Sequence, residues 1–333
     1  MSTALPSDRI DEPYISTGHL PASDRVRALV HEAYERYRMN DAGAVSQVYP
    51  ALAKAPRDLF GICLIGSEGS VVTAGDVDVP FTIMSVSKPF LFALVCQQLG
   101  PEETRAKIGV NATGLAFNSL AAVEHSGDGS TNPMVNAGAI ATTSLVPGAS
   151  TGEKWRFIHE GLSRFAGRVL ELNDGVTASA RATNHRNRAL ANFLYSRTRL
   201  YCDPVEAVDL YTRQCSLDVT ARDLAVMGAT LASGGVNPIT KQRVFDPAIC
   251  HYTLSVMTIA GLYETSGDWL YDVGLPGKSG IGGGIVTVSP GKGGLGTFAP
   301  PLDRAGNSVK GQLATRFLSQ SLGLDLFLSK PAS

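Results

Sequence analysis

Cysteine is scarce in this sequence and has no pattern: Cys63, Cys96, Cys202, Cys215 and Cys250 are scattered over 333 residues. An odd number of cysteines, with no CxxC and no histidine at ligand spacing, excludes a disulfide framework or a zinc ribbon and leaves reduced, mostly buried thiols. Neither sign of charge is in excess, since 29 Lys and Arg face 30 Asp and Glu for a net charge of -1. Without a basic run there is no footprint for a phosphate backbone or an anionic lipid surface, so neither nucleic acid nor membrane is expected as a partner. No apolar run approaches the ~20 residues of a membrane span. Met1 to Leu20 also lacks the basic start and apolar stretch of a secretory signal, so a cytoplasmic location is expected. Internal repeats and low-complexity blocks are absent too, and nothing calls for a metal, nucleotide or prosthetic group. The chain is long enough to bury a core unaided, and residues 1–333 read as a single domain.

Hydrophobic spacing organises what is present. Val26, Leu29, Val30 and Tyr34 recur at helical intervals within residues 24–38, which predicts an early amphipathic helix. Leu59 to Ile65 and Val71 to Ala74 are short apolar runs split by Gly-Ser-Glu-Gly, a hairpin signal. From Pro89 to Gly100 the chain is largely apolar and ends on glycine, which predicts a buried helix with Ser85, Ser87 and Lys88 at its start. The middle is rich in helix formers, most strongly from Ala221 to Ala232. Strand signals return at Gly283 to Val288 and Gly294 to Phe298, and an amphipathic helix over 308–322 closes the chain. This order predicts an α/β fold with one sheet built from the two ends, about 24–84 and 255–325, and a helical subdomain of about 100–250 inserted between them.

Two short motifs carry chemistry. Ser85-Val86-Ser87-Lys88 is an S-x-x-K motif at a helix start, where the spacing sets the serine hydroxyl and the lysine amine on one face, one turn apart. A buried lysine loses its proton more easily and can activate the serine as a nucleophile, while backbone N–H groups at the helix start face a developing oxyanion. Taken alone, the motif is as compatible with a solvated helix start. Lys278-Ser279-Gly280 resembles the K-[ST]-G triplet that accompanies S-x-x-K in serine β-lactamases and penicillin-binding proteins, in which glycine lets an edge strand approach the substrate; alone it reads equally as a turn. Ser130-Thr131-Asn132 imitates the third motif of that class, S-x-N, but it runs straight into Pro133 and a different signature.

That signature, Asn132-Pro-Met-Val-Asn136-Ala-Gly-Ala-Ile140, closely resembles a block of the serine-dependent glutaminase family. Further blocks that resemble the family in family order include Phe117-Asn118-Ser119-Leu120, Arg186-Asn187, Gln214-Cys215-Ser216, Gly261-Leu-Tyr263, Gly274-Leu-Pro-Gly-Lys278-Ser-Gly and Pro300-Pro-Leu-Asp303. The resemblance covers about 13–325. It implies a β-lactamase/transpeptidase-like fold, with a mostly antiparallel sheet flanked by helices, and hydrolysis of L-glutamine to L-glutamate and ammonia without a cofactor. By this resemblance Ser85 is the nucleophile, Lys88 its base and Tyr263 a proton relay to the leaving ammonia. The backbone N–H groups of Ser85 and Ile281 would hold the oxyanion, and Tyr49, Asn136, Asn187 and Tyr211 would contact the substrate. Lys278, Ser279 and Gly280 form the supporting strand. A homodimer or homotetramer is implied as well.

The match departs at two positions. The family carries glutamate seven residues before the asparagine matching Asn187, where this chain has Ala180, and Met84 stands where glutamine is common. In relatives that glutamate pairs with the substrate's α-ammonium, and breaking such a buried pair costs about 3–5 kcal/mol. A variant with impaired glutamine binding, an altered amide substrate, and a pocket where another acid substitutes therefore stand as alternatives. Beside them stand a β-lactamase-like hydrolase and an inactive binding subunit.

Overall fold

The strand Gly293–Phe298 reads Gly-Gly-Leu-Gly-Thr-Phe, and it forms the middle of the main sheet. The computed structural model describes residues 18–328, so most of the stretch read for an export signal lies outside the described residues. The strands run β1 (Gly61–Gly66), β2 (Val71–Gly75), β3 (Phe81–Thr82), β4 (Glu171–Leu172), β5 (Leu217–Val219), β6 (Gly277–Ser279), β7 (Gly284–Ser289) and β8 (Gly293–Phe298). The first helices are α1 (Ser23–Tyr37), α2 (Ser87–Leu99), α3 (Pro101–Ile108), α4 (Ala121–His125), α5 (Asn136–Ser144), α6 (Thr151–Ala166) and α7 (Asp174–Thr183). There follow α8 (His185–Ser196), α9 (Pro204–Cys215), α10 (Ala221–Ala232), α11 (Pro247–Ala260), α12 (Ser266–Val273) and α13 (Val309–Ser321).

The main sheet has the order β2-β1-β8-β7-β6 with every neighbouring pair antiparallel. The fold is thus a mixed α/β one, an antiparallel sheet flanked by helices. Both faces are covered, which explains why β1 reads as an apolar run rather than an alternation. Ile62, Leu64, Ile285 and Leu295 pack with Val26 and Val30 of α1 and Leu313 and Phe317 of α13. Their neighbours Cys63, Ile65, Val286 and Val288 point the other way, toward Leu224 and Ala225 of α10 and the helices beyond it. Each fully buried isoleucine or leucine contributes about 1.5–3 kcal/mol, so a one-residue slip of β1 would misplace a whole row.

The helix α10 lies directly on the sheet because glycine leaves room for it. A Cβ at Gly296 would stand 2.1 Å from the Ala221 carbonyl oxygen, and one at Gly294 would stand 2.2 Å from the Ala229 nitrogen. The start of α10 is fixed by a capping box, Thr220 accepting from the Asp223 N–H while the Asp223 carboxylate accepts from the Thr220 N–H, worth roughly 1 kcal/mol. Within residues 100–250 the chain also supplies β4 and β5, which pair with β3 in a small second sheet, β3-β5-β4. Two- and three-residue strands leave no periodicity in a sequence, and the helical pattern around them hides them. No helix among the described residues is long and apolar enough to cross a membrane.

Candidate active site

Ser85 stands in a 3-10 turn, Met84–Val86, that runs directly into α2. Helical side chains lean toward the N-terminus, so Lys88 reaches back and its Nζ donates to Ser85 Oγ at 3.0 Å. The turn is held from behind. Ser87 Oγ donates to the Met84 carbonyl at 2.8 Å and accepts from Gln214 Nε2 at 2.9 Å, and Thr143 Oγ1 donates to the Gln214 amide oxygen at 3.2 Å. Met84, just before Ser85, has a φ of 48°, and Tyr263 has one of 54°. Such left-handed conformations are costly for residues with side chains and collect at functional sites.

Lys88 is 2 % exposed, and its second partner is Asn136 Oδ1 at 2.8 Å, an amide oxygen rather than a carboxylate. Burial without a compensating anion disfavours the ammonium and brings its pKa down to about 8. Lys278 is buried alongside and is held well below the ordinary lysine range, first by burial and then by the charge of Lys88. Its Nζ donates to the carbonyls of Gly261 at 2.9 Å and Ser279 at 2.7 Å and lies 4.4 Å from the centre of the Tyr263 ring. The Tyr263 hydroxyl shares the Ser279 carbonyl at 3.2 Å. Burial raises the Tyr263 phenol above the usual range, an effect that hydrogen bonding with Ser85 opposes.

A cavity of about 220 Å³ opens over Ser85 and gathers Tyr49, Asn136, Asn187, Tyr211 and Ile281 into one wall. These come from the loop before β1, from α5, α8 and α9, and from the turn after β6. Asn136 is their hub: its Oδ1 accepts from both Lys88 and the Tyr211 hydroxyl, the latter at 3.2 Å, and its Nδ2 donates to Asn187 Oδ1 at 3.1 Å. Lys88, Tyr263 and the Lys278–Gly280 strand lie outside the lining, behind it. A Cβ at Gly280 would meet the Ile83 carbonyl and Val86 Cγ2 at 3.0 Å, so glycine lets this turn press against the Ser85 turn and bring Ile281 to the cavity edge. Ser130-Thr131-Asn132 lies elsewhere, where the Asn132 amide bonds the Asn111 carbonyl and the Met134 N–H.

The family model described as Glutaminase matches residues 43–327 of this chain. The chain belongs to the glutaminase family. It is 66% identical over 332 residues to Glutaminase 2 of Yersinia pestis, covering 99% of this chain and 98% of that one. Among solved structures, the probable glutaminase ybaS superposes with a TM-score of 0.91 at 43% identity over 92% of this chain and 99% of its own. Mglu in its L-glutamate binding form superposes with 0.86 at 38% identity, covering 92% and 68%.

The wall of this glutaminase-family site extends beyond Tyr49, Asn136, Asn187, Tyr211 and Ile281. Phe117, Asn118, Ala180, Thr183, Asn184, Arg186, Thr212, Cys215 and Ser216 also line it. Several fall within blocks quoted above without a role, and adjacency to Asn187 was the available signal for Arg186. Gln214 supports the Ser85 turn through Ser87 from a block that gave no hint of that contact. Cys215 is half-buried at the wall, and desolvation raises its thiol above the ordinary range, which keeps it protonated.

Proposed function

We propose that this chain hydrolyses the side-chain amide of L-glutamine to L-glutamate and ammonia through an acyl-enzyme on Ser85. The observation that carries the reading is the 3.0 Å contact between Ser85 Oγ and a buried lysine whose pKa is brought down to about 8. Neutral Lys88 takes the Ser85 proton as Oγ bonds the amide carbon. The backbone N–H groups of Ser85 and Ile281 hold the oxyanion, a contribution of about 3–4 kcal/mol for a donor of this kind. Tyr263 passes its hydroxyl proton to the nitrogen as the C–N bond breaks and ammonia leaves, and the proton that Lys88 took from Ser85 returns to Tyr263, so both groups are neutral again. Water then attacks the ester and gives a proton to Lys88, which returns it to Ser85 Oγ as the ester C–O bond breaks and glutamate departs. Asn136, Asn187, Tyr211 and Tyr49 contact the substrate with neutral donors and acceptors. That Mglu has been solved in an L-glutamate binding form supports a product of this kind. The same reading includes a β-lactamase/transpeptidase-like fold, a cytoplasmic location and a homodimer or homotetramer.

The test is ammonia release from L-glutamine combined with intact-mass analysis of acid-quenched turnover. A covalent adduct on the Ser85 peptide is expected, with neither adduct nor ammonia from Ser85→Ala. Ammonia release without an adduct would count against the acyl-enzyme, and hydrolysis of nitrocefin would favour the β-lactamase-like alternative.

The pH profile follows from Lys88. Its amine acts as base only when neutral, so kcat/KM should rise with pH and level off above about 8. A rate already flat from pH 6 to 9 would assign the base elsewhere.

A further inference from the structure

The wall over Ser85 holds one ionised side chain, and it is a cation. Arg186 lines the cavity, is exposed, and makes no ion pair or hydrogen bond among the described residues. No Asp or Glu lines the cavity. A guanidinium without a protein carboxylate offers a planar fork of donors to a carboxylate on the ligand. Ala180 lines the same cavity with a methyl group and is 3 % exposed. One helical turn earlier on α7, Val176 joins Leu52 and Met84 in an apolar patch completed by Tyr49, Cys215 and Ile281.

Nearby acids are occupied outside the wall. Asp209 pairs with Arg181 at 2.6 Å, Asp218 accepts from Asn173 at 3.1 Å, and Glu264 accepts from the Phe117 N–H at 3.1 Å. None substitutes for a carboxylate at position 180. An ammonium group on the ligand would therefore find no carboxylate in the lining, and its neighbouring charge would be the Arg186 guanidinium. Desolvation and like charge both oppose it.

We infer that this site prefers five-carbon dicarboxylic acid monoamides whose α-carbon bears no positive charge, being unsubstituted or carrying an oxo or hydroxyl group, over free L-glutamine. The inference rests on the reading that Ser85 hydrolyses a terminal amide. The reaction is unchanged: the C–N bond breaks, water supplies a hydroxyl to the acyl carbon and a proton to the nitrogen, and ammonia leaves. Arg186 binds the distal carboxylate, and the Ala180 patch accepts a neutral α-position.

The experiment compares glutaramate, which is glutamine without its α-amino group, with L-glutamine. On the unmodified protein kcat/KM should be at least tenfold higher for glutaramate. Ala180→Glu should shift the ratio toward L-glutamine by a hundredfold or more, while Arg186→Gln should weaken both amides at least tenfold and leave their ratio in place. Calorimetry on the Ser85→Ala protein reads the same preference without turnover and needs no change at position 180. Glutaramate should bind at least tenfold more tightly there. Turnover of both amides with L-glutamine favoured would overturn the inference and leave the amidase reading standing. Turnover of neither, with glutaramate the tighter ligand on Ser85→Ala, would sink the amidase reading and leave the ligand preference of the site standing. Binding of neither at millimolar concentration would overturn it.

Discussion

With Lys88 replaced by methionine, ammonia release should fall by three to four orders of magnitude while the protein stays folded and becomes no less stable at pH 7. The kinetic half follows from the chemistry of the pair. A serine hydroxyl attacks an amide slowly until a base removes its proton, and general-base assistance is worth about 10²–10⁴ in rate. Lys88 is the one amine within hydrogen-bonding distance of Ser85 Oγ among the described residues. Groups that act as a unit lose their effect together, so Ser85→Ala combined with Lys88→Met should be no slower than Ser85→Ala alone.

The stability half comes from linkage. Unfolded, Lys88 keeps its proton up to its ordinary 10.5; folded, it releases it near 8. Between those values the unfolded chain binds more protons, so stability rises with pH across that window. Below about 8 the folded state bears the full cost of a buried charge, about 3 kcal/mol for that displacement. Methionine has a similar shape and no charge to bury, and the Asn136 oxygen that loses Lys88 keeps the Tyr211 hydroxyl. Thermal unfolding at pH 7 should show Lys88→Met melting at or above the unmodified protein, and the two should converge as pH approaches 10.5. A large drop in melting temperature at pH 7 would mean that the amine acts as a structural hydrogen-bond donor whose bonds outweigh its desolvation.

Legibility in the sequence followed the range of the interactions involved. The hairpin of β1 and β2, the helices α1, α2 and α13, and the returning strands β7 and β8 are local, and period and turn residues mark each of them. The Ser85–Lys88 contact is local as well, since three residues of helix bring the groups together. The gathering of Asn136, Asn187 and Tyr211 spans three helices, and it came from the block resemblance rather than from spacing. The Gln214 support to Ser87 joins residues 127 positions apart, and no local pattern encodes it. Arg186 went without a role because an arginine on an exposed helix face is ordinarily solvated. Its meaning depends on the absence of carboxylates in the wall around it, which only the assembled site displays.

The seating of α10 on β8 was likewise hidden, since Gly-Gly-Leu-Gly-Thr-Phe and an alanine-rich helix carry no visible signal of touching. That contact supports the second large expectation: Gly296→Ala should destabilise the chain by about 3 kcal/mol or more, enough to lose most soluble protein at 37 °C. The added methyl would stand 2.1 Å from the Ala221 carbonyl and 2.7 Å from the Ala225 nitrogen. Those obstacles are backbone atoms, so no side-chain rotation relieves them. The helix would have to lift by more than an ångström along a row that also includes Gly294 and Ala229, and lifting it opens the packing of Val286 and Leu224 on that face. Gly267→Ala is the matched control: it lies in α12 with nothing within 4 Å of the added Cβ. Alanine there favours the helix by about 0.5–1 kcal/mol. In urea unfolding the control should match or exceed the unmodified chain and Gly296→Ala should unfold far earlier. Equal midpoints for the two variants would mean that α10 has slack on the sheet and that the glycine row reflects some constraint other than helix approach.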